Sequence, residues 1–538
     1  MKKSFIVTVL GIFLAMTVGS VYAYTSHYGP TETIYYDQAK AYNGYTIFNP
    51  LATGTTYLID MEGNVVHTWS LPAGRSICLH ARFLDNGNLL RSIRDPLLEN
   101  KYHSQGDGVV QEVDWDGNVI WEVESHPLGR GQHHDFRKIW NNQLQEYTYI
   151  MIVGKTLPEA DALALGADPS KLGVAGMDGG PDGVIEVNSE GKLIWEWHLV
   201  DHTIQDFDPT KLNFGVVADH PEKMDINYGQ GLGDGDWQHL NSLDYNQELD
   251  QIAANGRTFC EFYVIDHGAS FVSTPADFAA DFDAAVAANV AAATGSAGDL
   301  IYRFGNPQVY DAAVSFWTEV DHVYSPGDEQ MWYSHDIQWI GGANAPWSAS
   351  ELPGGGNFLI FDNGSNRGHE GHTYSAVLEI NPYILDNTGA LSQDYVNPPA
   401  AGYIMAGSMF GGQKKQSNQV VWSYQSLSPT SFYSWYISGC ERMPNGNTVV
   451  CSGAHGHFFE VTADKEVVWE YVNPDTPAGV LKLMPDNSGM GGNSVFRCHR
   501  FGPDHPAFVG KDMTPKGKIT DRAGVEKIQD KLEQFLAQ

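Results

Sequence analysis

Histidines in loops and at strand starts are the residues of this sequence best suited to chemistry. His455 lies between two glycines in a short loop, and His457 follows two residues later. Four other histidines share a second position, the start of a predicted strand that leads into a turn: His80, His134, His239 and His335. A neutral imidazole is nucleophilic near neutral pH and can carry a group covalently. We therefore centre the functional interpretation on His455 and leave His457 open as the reactive residue.

A second glycine-containing loop, residues 362–368, carries Arg367. An arginine and further histidines can hold the charged oxygens of a sulfuryl or phosphoryl group and stabilise charge on the departing oxygen. The sequence has no serine or cysteine in a recognisable nucleophile motif and no G-x-x-x-x-G-K-[ST] phosphate loop. We therefore predict group transfer without a nucleotide donor and without a cofactor.

Two kinds of hairpin alternate along the chain and would position these side chains. The outer kind recurs six times, from residues 57–69 to residues 457–471, and the inner kind, with turns such as residues 444–447, also recurs six times. Twelve alternating hairpins predict an all-β fold, a six-bladed β-propeller with four strands in each blade. Because the chain opens on an outer hairpin and closes on an inner one, residues 495–509, these two hairpins are expected to complete one blade and close the ring.

The first strand of a propeller blade is innermost, and its start lies on the same face as the loop between the second and third strands. The residues expected to converge at the ring axis are therefore His80, His134, His239, His335, Arg367 and His455. We expect little acidic company there, which would make a pocket for a small anion inside an acidic protein.

The two ends of the chain are expected to lie outside the propeller. Residues 1–23 have a basic start, a short apolar run and small residues before a cleavage point, which is typical of a secretory signal. We assign residues 24–510 to the propeller and residues 511–538 to a C-terminal tail with a helix at 521–536. The inserted segments 157–181 and 202–236 are predicted to be long loops, and segment 274–294 to be a helix. The mature protein is expected in the periplasm or secreted, without membrane insertion.

Charge and cysteine content limit the partners and the crosslinks. The formal net charge is −33, and no basic run is present, so nucleic acid and anionic membranes are poor partners. Small molecules are the expected partners, and a homodimer stays open. Cys440 and Cys451 should face each other across the 444–447 turn, either as a disulfide or as two reduced thiols. The remaining cysteines fit small core positions: Cys78, Cys260 and Cys498.

Several motifs resemble those of the bacterial arylsulfate sulfotransferases, exported six-bladed propellers that move a sulfuryl group between phenols without a nucleotide sulfate donor. The matching stretches are Asp236-Trp237-Gln238-His239-Leu240-Asn241-Ser242, Ser334-His335-Asp336, Phe361-Asp362-Asn363-Gly364-Ser365-Asn366-Arg367-Gly368 and Ser452-Gly453-Ala454-His455. Residues 432–434 and 444–448 also match, so the resemblance covers nearly the whole mature chain. The four stretches together are specific, whereas each alone is weak.

The resemblance implies a role for each matching residue. His455 would form a transient sulfohistidine in a ping-pong mechanism, and the sulfuryl oxygens would be bound by His239, His335 and Arg367. One of these histidines, His335 in preference to His239, would also shuttle the phenol proton. His134 and His80 fit the same spacing without a family match, and we expect them to line the channel and contact substrate. The extra amino-terminal β domain of the family is missing or vestigial in this chain.

Two other functions stay open from the residues alone. Several histidines around an axis could bind copper or zinc, although only His455-Gly456-His457 offers a short ligand pair. A catalytically silent propeller that binds a partner on its face is the other alternative. His369 and His372 fit solvated loop positions better than ligand positions. The physiological donor and acceptor are not determined by the sequence.

Overall fold

The computed structural model describes residues 30–71, 76–94, 108–155, 157–172, 181–229, 237–311, 329–365, 367, 373–385, 389–396, 405–406, 414–415, 417–482 and 492–521. Its strands form six four-stranded antiparallel units in a ring, with few helices. The six-bladed β-propeller predicted from the repeat is confirmed. The predicted signal segment and residues 522–538 of the predicted tail lie outside the described residues.

The first three blades are built as follows, from the innermost strand outward. Blade 1 contains Val495–Phe501, Tyr45–Pro50, Thr55–Ile59 and Val65–Ser70. Blade 2 contains Ser76–Phe83, Leu89–Arg94, Gly108–Val113 and Val119–Glu124. Blade 3 contains Gly131–Asn141, Glu146–Gly154, Asp182–Val187 and Leu193–His198.

The second half of the ring follows the same pattern. Blade 4 contains Leu240–Asn246, Gln251–Gly256, Glu261–Asp266 and Leu300–Phe304. Blade 5 contains His335–Trp339, Phe358–Asp362, Ala376–Ile380 and Val420–Tyr424. Blade 6 contains Gly439–Arg442, Thr448–Ser452, His457–Val461 and Val467–Val472.

Blade 1 joins the two ends of the chain, as expected, but the strands are divided differently. Only the innermost strand, Val495–Phe501, comes from the C-terminal segment, and the N-terminal segment supplies the other three. The second strand, Tyr45–Pro50, pairs with both of its neighbours in the blade. The chain then bends into a 3-10 helix, Pro506–Phe508, so a single strand replaces the expected closing hairpin.

Two strands near the N-terminus were not predicted, because neither belongs to a complete inner hairpin in the sequence. Tyr45–Pro50 buries Ile47 and Phe48 completely, which fixes it against the closing strand. Glu32–Tyr36 pairs with Val467–Val472 and adds a fifth strand to blade 6. The outer edge of that blade is therefore covered by the chain itself.

Tryptophans on the outermost strands link neighbouring blades at four places in the described part of the ring. Each indole Nε1 donates to a main-chain carbonyl in the turn between the third and fourth strands of the next blade. The donor–acceptor pairs are Trp69 with Asp114, Trp121 with Ser189, Trp422 with Ala463 and Trp469 with Met61, at 3.2, 3.0, 3.0 and 2.8 Å. The last pair crosses the closure between blades 6 and 1. Trp69 and Trp469 are also buried between blades, as predicted.

The α-helices lie in segments inserted between strands. They are Glu159–Ala164, His267–Ser270, Pro275–Ala280 and Phe282–Thr294. The helix predicted within residues 274–294 is thus present as two helices. The 3-10 helices are His126–Leu128, Pro169–Lys171, Leu199–His202, Val217–Asp219, Ser296–Gly298, Pro307–Tyr310, Ala349–Glu351, Pro429–Ser431, Gly453–His455, Pro506–Phe508 and Ile519–Asp521. None of the helices within the described ranges is long and apolar enough to cross a membrane.

The two long inserted loops pack on each other within their described parts, residues 157–172 and 202–229. The main-chain N–H of Asp168 in the first donates to the side chain of Asn227 in the second at 2.7 Å. The second loop also forms a short parallel pair, Thr203–Ile204 with Met224–Asp225. Two further short antiparallel pairs lie elsewhere in the chain: Met405–Ala406 with Lys414–Lys415, and Asp475–Thr476 with Gly479–Val480.

The prediction that Cys440 faces Cys451 is wrong by one residue of register. Thr448 pairs with Arg442, because five residues form the turn between their strands. Cys440 consequently lies opposite Val450, and successive residues of a strand point to opposite faces. The described cysteines are buried and free: Cys260, Cys440, Cys451 and Cys498.

Candidate functional site

The candidate site lies on one face of the ring, which carries the starts of the innermost strands and the loops between second and third strands. We call it the site face. The level of each histidine in the axial channel can be compared by counting residues to the last paired residue before the turn of its inner hairpin. His134 and His239 each lie seven residues before that residue and so share a level, whereas His80 lies three residues before it. His80 bonds Asp135 and stacks on Phe136, the two residues that follow His134, so it lies deeper in the channel than His134.

The depth of His80 makes it part of the channel filling. Its ring is fully buried and stacks on Phe136 and Phe496, with centroid distances of 4.7 and 5.6 Å. Burial lowers the pKa of His80 to about 3, even though Nε2 bonds Asp135 Oδ1 at 3.0 Å. The expectation that His80 contacts substrate has no support from this position.

Phe496, on the closing strand, lies among the other histidines. Its ring centroid is 6.0 Å from that of His134 and 6.4 Å from that of His335. His239 packs edge-on against His134 at 4.6 Å. The structure therefore brings together the three histidines contributed by blades 3, 4 and 5.

His133, which the sequence pattern did not single out, connects His134 to a carboxylate. His133 Nε2 lies 3.2 Å from Asp182 Oδ1, and its Nδ1 lies 2.7 Å from Nδ1 of His134. Because a carboxylate accepts, His133 Nε2 carries a proton, and in the neutral ring its Nδ1 accepts from His134. This chain of hydrogen bonds fixes the tautomer of His134. The His133-His134 doublet at a strand start was the available signal in the sequence.

His335 is oriented by Asn363, which follows the second strand of its own blade. His335 Nδ1 lies 2.6 Å from Asn363 Oδ1 and 3.2 Å from the carbonyl oxygen of Tyr333. Both partners accept, so Nδ1 carries the proton and Nε2 holds the lone pair in the neutral ring. Burial, followed by the charge of Arg257, holds the pKa of His335 well below its usual value. His335 is therefore a neutral proton acceptor at Nε2.

His455 ends the 3-10 helix between the second and third strands of blade 6. Its Nε2 bonds the carbonyl oxygen of Tyr433 at 3.0 Å. A carbonyl can only accept, so Nε2 carries the proton and Nδ1 of the neutral ring holds the lone pair. The edge of the imidazole meets the Trp435 ring at 5.3 Å, and the side chain is 9% exposed.

The segment 433–438 connects the His335 and His455 loops. Asn363 Nδ2 donates to the carbonyls of Ser434 and Ile437 at 2.6 and 2.9 Å. Ser434 Oγ in turn accepts from the main-chain N–H of Ala454 at 3.0 Å. These bonds also fix which end of the Asn363 amide faces His335. One hydrogen-bonded unit therefore positions both histidines.

His457 points elsewhere from the start of the third strand. Its ring stacks on Phe459 at 5.1 Å, and its Nε2 lies 4.0 Å from Glu470 Oε2 on the fourth strand. Its ring therefore lies against side chains of the third and fourth strands of blade 6. His369 and His372 lie outside the described residues.

Arg367 is held from three sides. Its Nη2 bonds Asp362 Oδ2, and its guanidinium lies 4.2 Å from the centre of the Trp332 ring and 4.1 Å from that of Tyr374. The residue is 2% exposed, and its buried Nε has no hydrogen-bond partner among the described residues.

The expectation of little acidic company at the axis is wrong. Arg497, beside Phe496, bonds Asp135 Oδ2 at 2.6 Å and lies 3.0 Å from Asp336 Oδ1. These two aspartates directly follow His134 and His335, where both strands shift register against their neighbours. Arg497 therefore pairs with both carboxylates next to the histidines.

Arg257, in the loop between the second and third strands of blade 4, was also missed. Its main-chain N–H donates to the carbonyl of His239 at 3.1 Å, and its guanidinium lies 4.7 Å from the centre of the Tyr333 ring. The signal was its loop position, which matches that of Arg367 and His455. Within the described ranges, no group of three His, Cys, Asp or Glu side chains could hold a metal ion.

A family model described as arylsulfotransferase (ASST) matches residues 155–486, more than half of the chain. The chain belongs to this family. The resemblance drawn from the sequence is thereby confirmed for the family, which supports arylsulfotransferase activity on small molecules. The arylsulfotransferase match includes His239, Arg257, His335, Arg367 and His455, whereas His134 and Phe496 lie beyond its ends.

The other comparisons add only distant similarities. No curated protein matches the chain. A Bacteroides caccae protein of unknown function has a TM-score of 0.36 at 10% identity, over 85% of this chain and 99% of its own. A functionally unknown Desulfotomaculum acetoxidans protein has 0.31 at 8%, over 86% and 100%. Apo AztD from Citrobacter koseri has 0.31 at 9%, over 86% and 99%.

Proposed function

We propose that this protein is exported and that it moves a sulfuryl group from an aryl sulfate ester to a phenolic acceptor, through a sulfohistidine on His455. Family membership supports the general activity. The observation that carries the finer proposal is the bond between His455 Nε2 and the Tyr433 carbonyl, which leaves the Nδ1 lone pair for attack. Its loop position on the site face supports the same choice.

In the first half-reaction, His455 Nδ1 attacks sulfur and the bond from sulfur to the ester oxygen breaks. The aryl group leaves as the aryloxide anion and takes its proton from solvent, because His335 is neutral at this stage. Because Nε2 keeps its proton, the ring of the sulfohistidine is positively charged. That charge makes the new nitrogen–sulfur bond easy to break.

In the second half-reaction, the oxygen of the acceptor phenol attacks sulfur and the bond to His455 breaks. The phenol proton passes to His335 Nε2, which the Asn363 contact leaves with a lone pair. A lowered pKa keeps His335 neutral and ready for this step. His335 then releases this proton to solvent and returns to the neutral form.

Half-buried aromatic side chains beside His455 can receive the aryl groups of both substrates. Tyr433 supplies the carbonyl that orients the imidazole, and the ring of Trp435 contacts it. Aromatic pairs favour edge-to-face or offset contacts at such distances. Donor and acceptor would then occupy the same place in turn, as a ping-pong mechanism requires.

The test is the intact mass of purified protein, quenched rapidly after mixing with 4-nitrophenyl sulfate and no acceptor. We expect an adduct equal to one SO₃ group that is labile to acid and disappears when a phenol is added. His455→Ala should show neither adduct nor transfer. His457→Ala is the matched control and should keep most of both, because its ring faces the interior of blade 6.

Two results would count against the proposal. An adduct that survives in His455→Ala but is lost in His457→Ala would move the nucleophile by two residues. Absence of both adduct and nitrophenol release from the wild type would remove the transferase proposal itself.

A further inference from the structure

Asp182 joins the two blades that carry His134 and His239. It begins the third strand of blade 3 and is 2% exposed. Its Oδ1 lies 3.2 Å from His133 Nε2, and its Oδ2 accepts from the main-chain N–H of Leu240 at 2.6 Å. Leu240 directly follows His239 in the chain. One carboxylate therefore contacts the residue before one site histidine and the residue after the other.

The backbone at both site histidines needs support, because it lies in the left-handed region. The φ angle is 56° at His134 and 49° at His239, and residues with a Cβ atom rarely adopt this conformation. Such a conformation persists where the surrounding contacts determine it. One of these contacts is the bond from the N–H after His239 to Asp182. The carboxylate therefore helps to set the direction in which the His239 side chain leaves the strand.

Asp182 also sets the direction of a chain of hydrogen bonds. Its Oδ1 accepts from His133 Nε2, so in the neutral rings His133 Nδ1 accepts from His134 Nδ1 at 2.7 Å. His134 Nε2 consequently accepts rather than donates. The His134 ring lies edge-on to that of His239, with the centroids 4.6 Å apart. The carboxylate thus decides whether His134 presents an acceptor or a donor beside His239.

A carboxylate that bridges two blades also occurs elsewhere in this ring. Glu441, on the inner strand of blade 6, accepts from the main-chain N–H of Arg500 at 2.9 Å, and its other oxygen lies 3.7 Å from His499 Nδ1. Such a contact stabilises the ring by joining neighbouring strands. Asp182 differs because its histidine partner extends the chain of hydrogen bonds to His134. Glu441 therefore offers a matched control for the contribution of such a bridge to the fold.

We propose that Asp182 is a positioning residue for sulfuryl transfer, which fixes the tautomer of His134 through His133 and the backbone of His239 through Leu240. This inference rests on the proposed function and on the sulfuryl-binding role that the family resemblance implies for His239. Asp182 forms no bond to substrate. It keeps an accepting nitrogen next to His239, so that of these two rings only His239 donates to the charged oxygens.

The test variant is Asp182→Asn, which keeps the shape of the side chain and reverses the chain of hydrogen bonds. The amide oxygen still accepts from the Leu240 N–H, but the amide NH₂ donates to His133 Nε2. His133 Nδ1 must then donate to His134 Nδ1, which moves the His134 proton to Nε2. With 4-nitrophenyl sulfate and a phenol we expect kcat/KM to fall about 10–100-fold, the usual range for losing a partner that orients a liganding histidine.

Spectra of ¹⁵N-histidine-labelled protein measure the tautomer without turnover. A protonated and an unprotonated ring nitrogen give separate resonances, and His134→Gln identifies the His134 signals by their loss. In Asp182→Asn the protonated nitrogen of His134 should change from Nδ1 to Nε2. Glu441→Gln is the control, because it alters a carboxylate that bridges two blades without a link to His134. It should leave the His134 resonances unchanged and change kcat/KM less than twofold.

A second variant separates the chain of hydrogen bonds from the fold. His133→Gln can bond either an aspartate or an asparagine at position 182, because its amide donates or accepts after rotation, but it does not connect that position to His134. If the chain carries the effect, adding Asp182→Asn to His133→Gln should lower kcat/KM by less than twofold. The melting temperature of each variant is measured beside its activity.

The outcomes distinguish this inference from the proposed function. An unchanged His134 tautomer in Asp182→Asn, or a variant that keeps at least half of the wild-type kcat/KM, would overturn the inference and leave the transferase in place. A full loss of activity that persists in the His133→Gln background would also overturn it, since the chain would then not carry the effect. A wild type without adduct removes the proposed function, and the spectra then decide only whether Asp182 sets the His134 tautomer.

Discussion

A buried histidine between blades 3 and 4 should make the stability of the ring depend on alkaline pH. His267 is fully buried, with Nε2 3.0 Å from Glu186 Oε2 and Nδ1 2.7 Å from Asp250 Oδ1. Two accepting carboxylates require protons on both ring nitrogens, so the ring is cationic. Burial, the largest influence, lowers the pKa of His267, but the two carboxylates outweigh it and raise the pKa to about 9.

The magnitude follows from the difference between the folded and unfolded proteins. A rise from 6.5 to about 9 corresponds to about 3 kcal/mol, at 1.36 kcal/mol per unit. The folded pKa is the higher one, so this contribution is fully present below about pH 6.5. It is lost as the pH rises through about 9, where the folded protein also releases the proton.

The assay is urea unfolding of the wild type and His267→Gln at intervals from pH 6 to pH 10. The difference in unfolding free energy should be largest at pH 6 and shrink by about 3 kcal/mol toward pH 10. The control is His220→Gln, because His220 bonds Glu222 at 2.8 Å on the exposed surface. A wild-type minus His267→Gln difference that stays constant across this range would refute the reasoning.

Three further predictions concern the closure, the site and the thiols. Trp469→Phe removes the indole bond across the closure and should lower the unfolding free energy by about 1 kcal/mol, more than Trp121→Phe, whose bond is exposed; equal losses in thermal melts would contradict this. Asn363→Leu removes the acceptor that orients the His335 imidazole and should lower kcat at least about tenfold. An unchanged kcat would show that another group fixes the tautomer. Alkylation of denatured, unreduced protein should label Cys440 and Cys451, and a crosslinked peptide would contradict the observed register.

The blades could be predicted because local chemistry repeats in each of them. Turns with an Asn-Gly step, such as that at Gly446 with φ 88°, require a residue that tolerates positive φ, and such turns mark hairpins in sequence. Strands without that mark were missed, namely Glu32–Tyr36 and Tyr45–Pro50. Each of them pairs with a strand more than 400 residues away, and only the closed ring brings these two pairs of strands together.

The site could be predicted as a set of residue types, but not at the level of distances. His239, His335 and His455 come from repeated positions, and the structure places each on the site face. Depth was misjudged for His80, because the number of residues between a histidine and its turn differs among blades. Arg257 was missed because it lies in none of the stretches that resemble the family.

The closing strand makes the activity depend on synthesis of the chain through residue 501. Val495–Phe501 is the innermost strand of the first blade, yet it is among the last described segments to be synthesised. It carries Phe496 and Arg497, the ring and the cation around which the histidines and the aspartates are arranged. A chain that stops short of this strand lacks the centre of its own site. Ribosomal truncation products of this protein should therefore be inert, without any separate control on their activity.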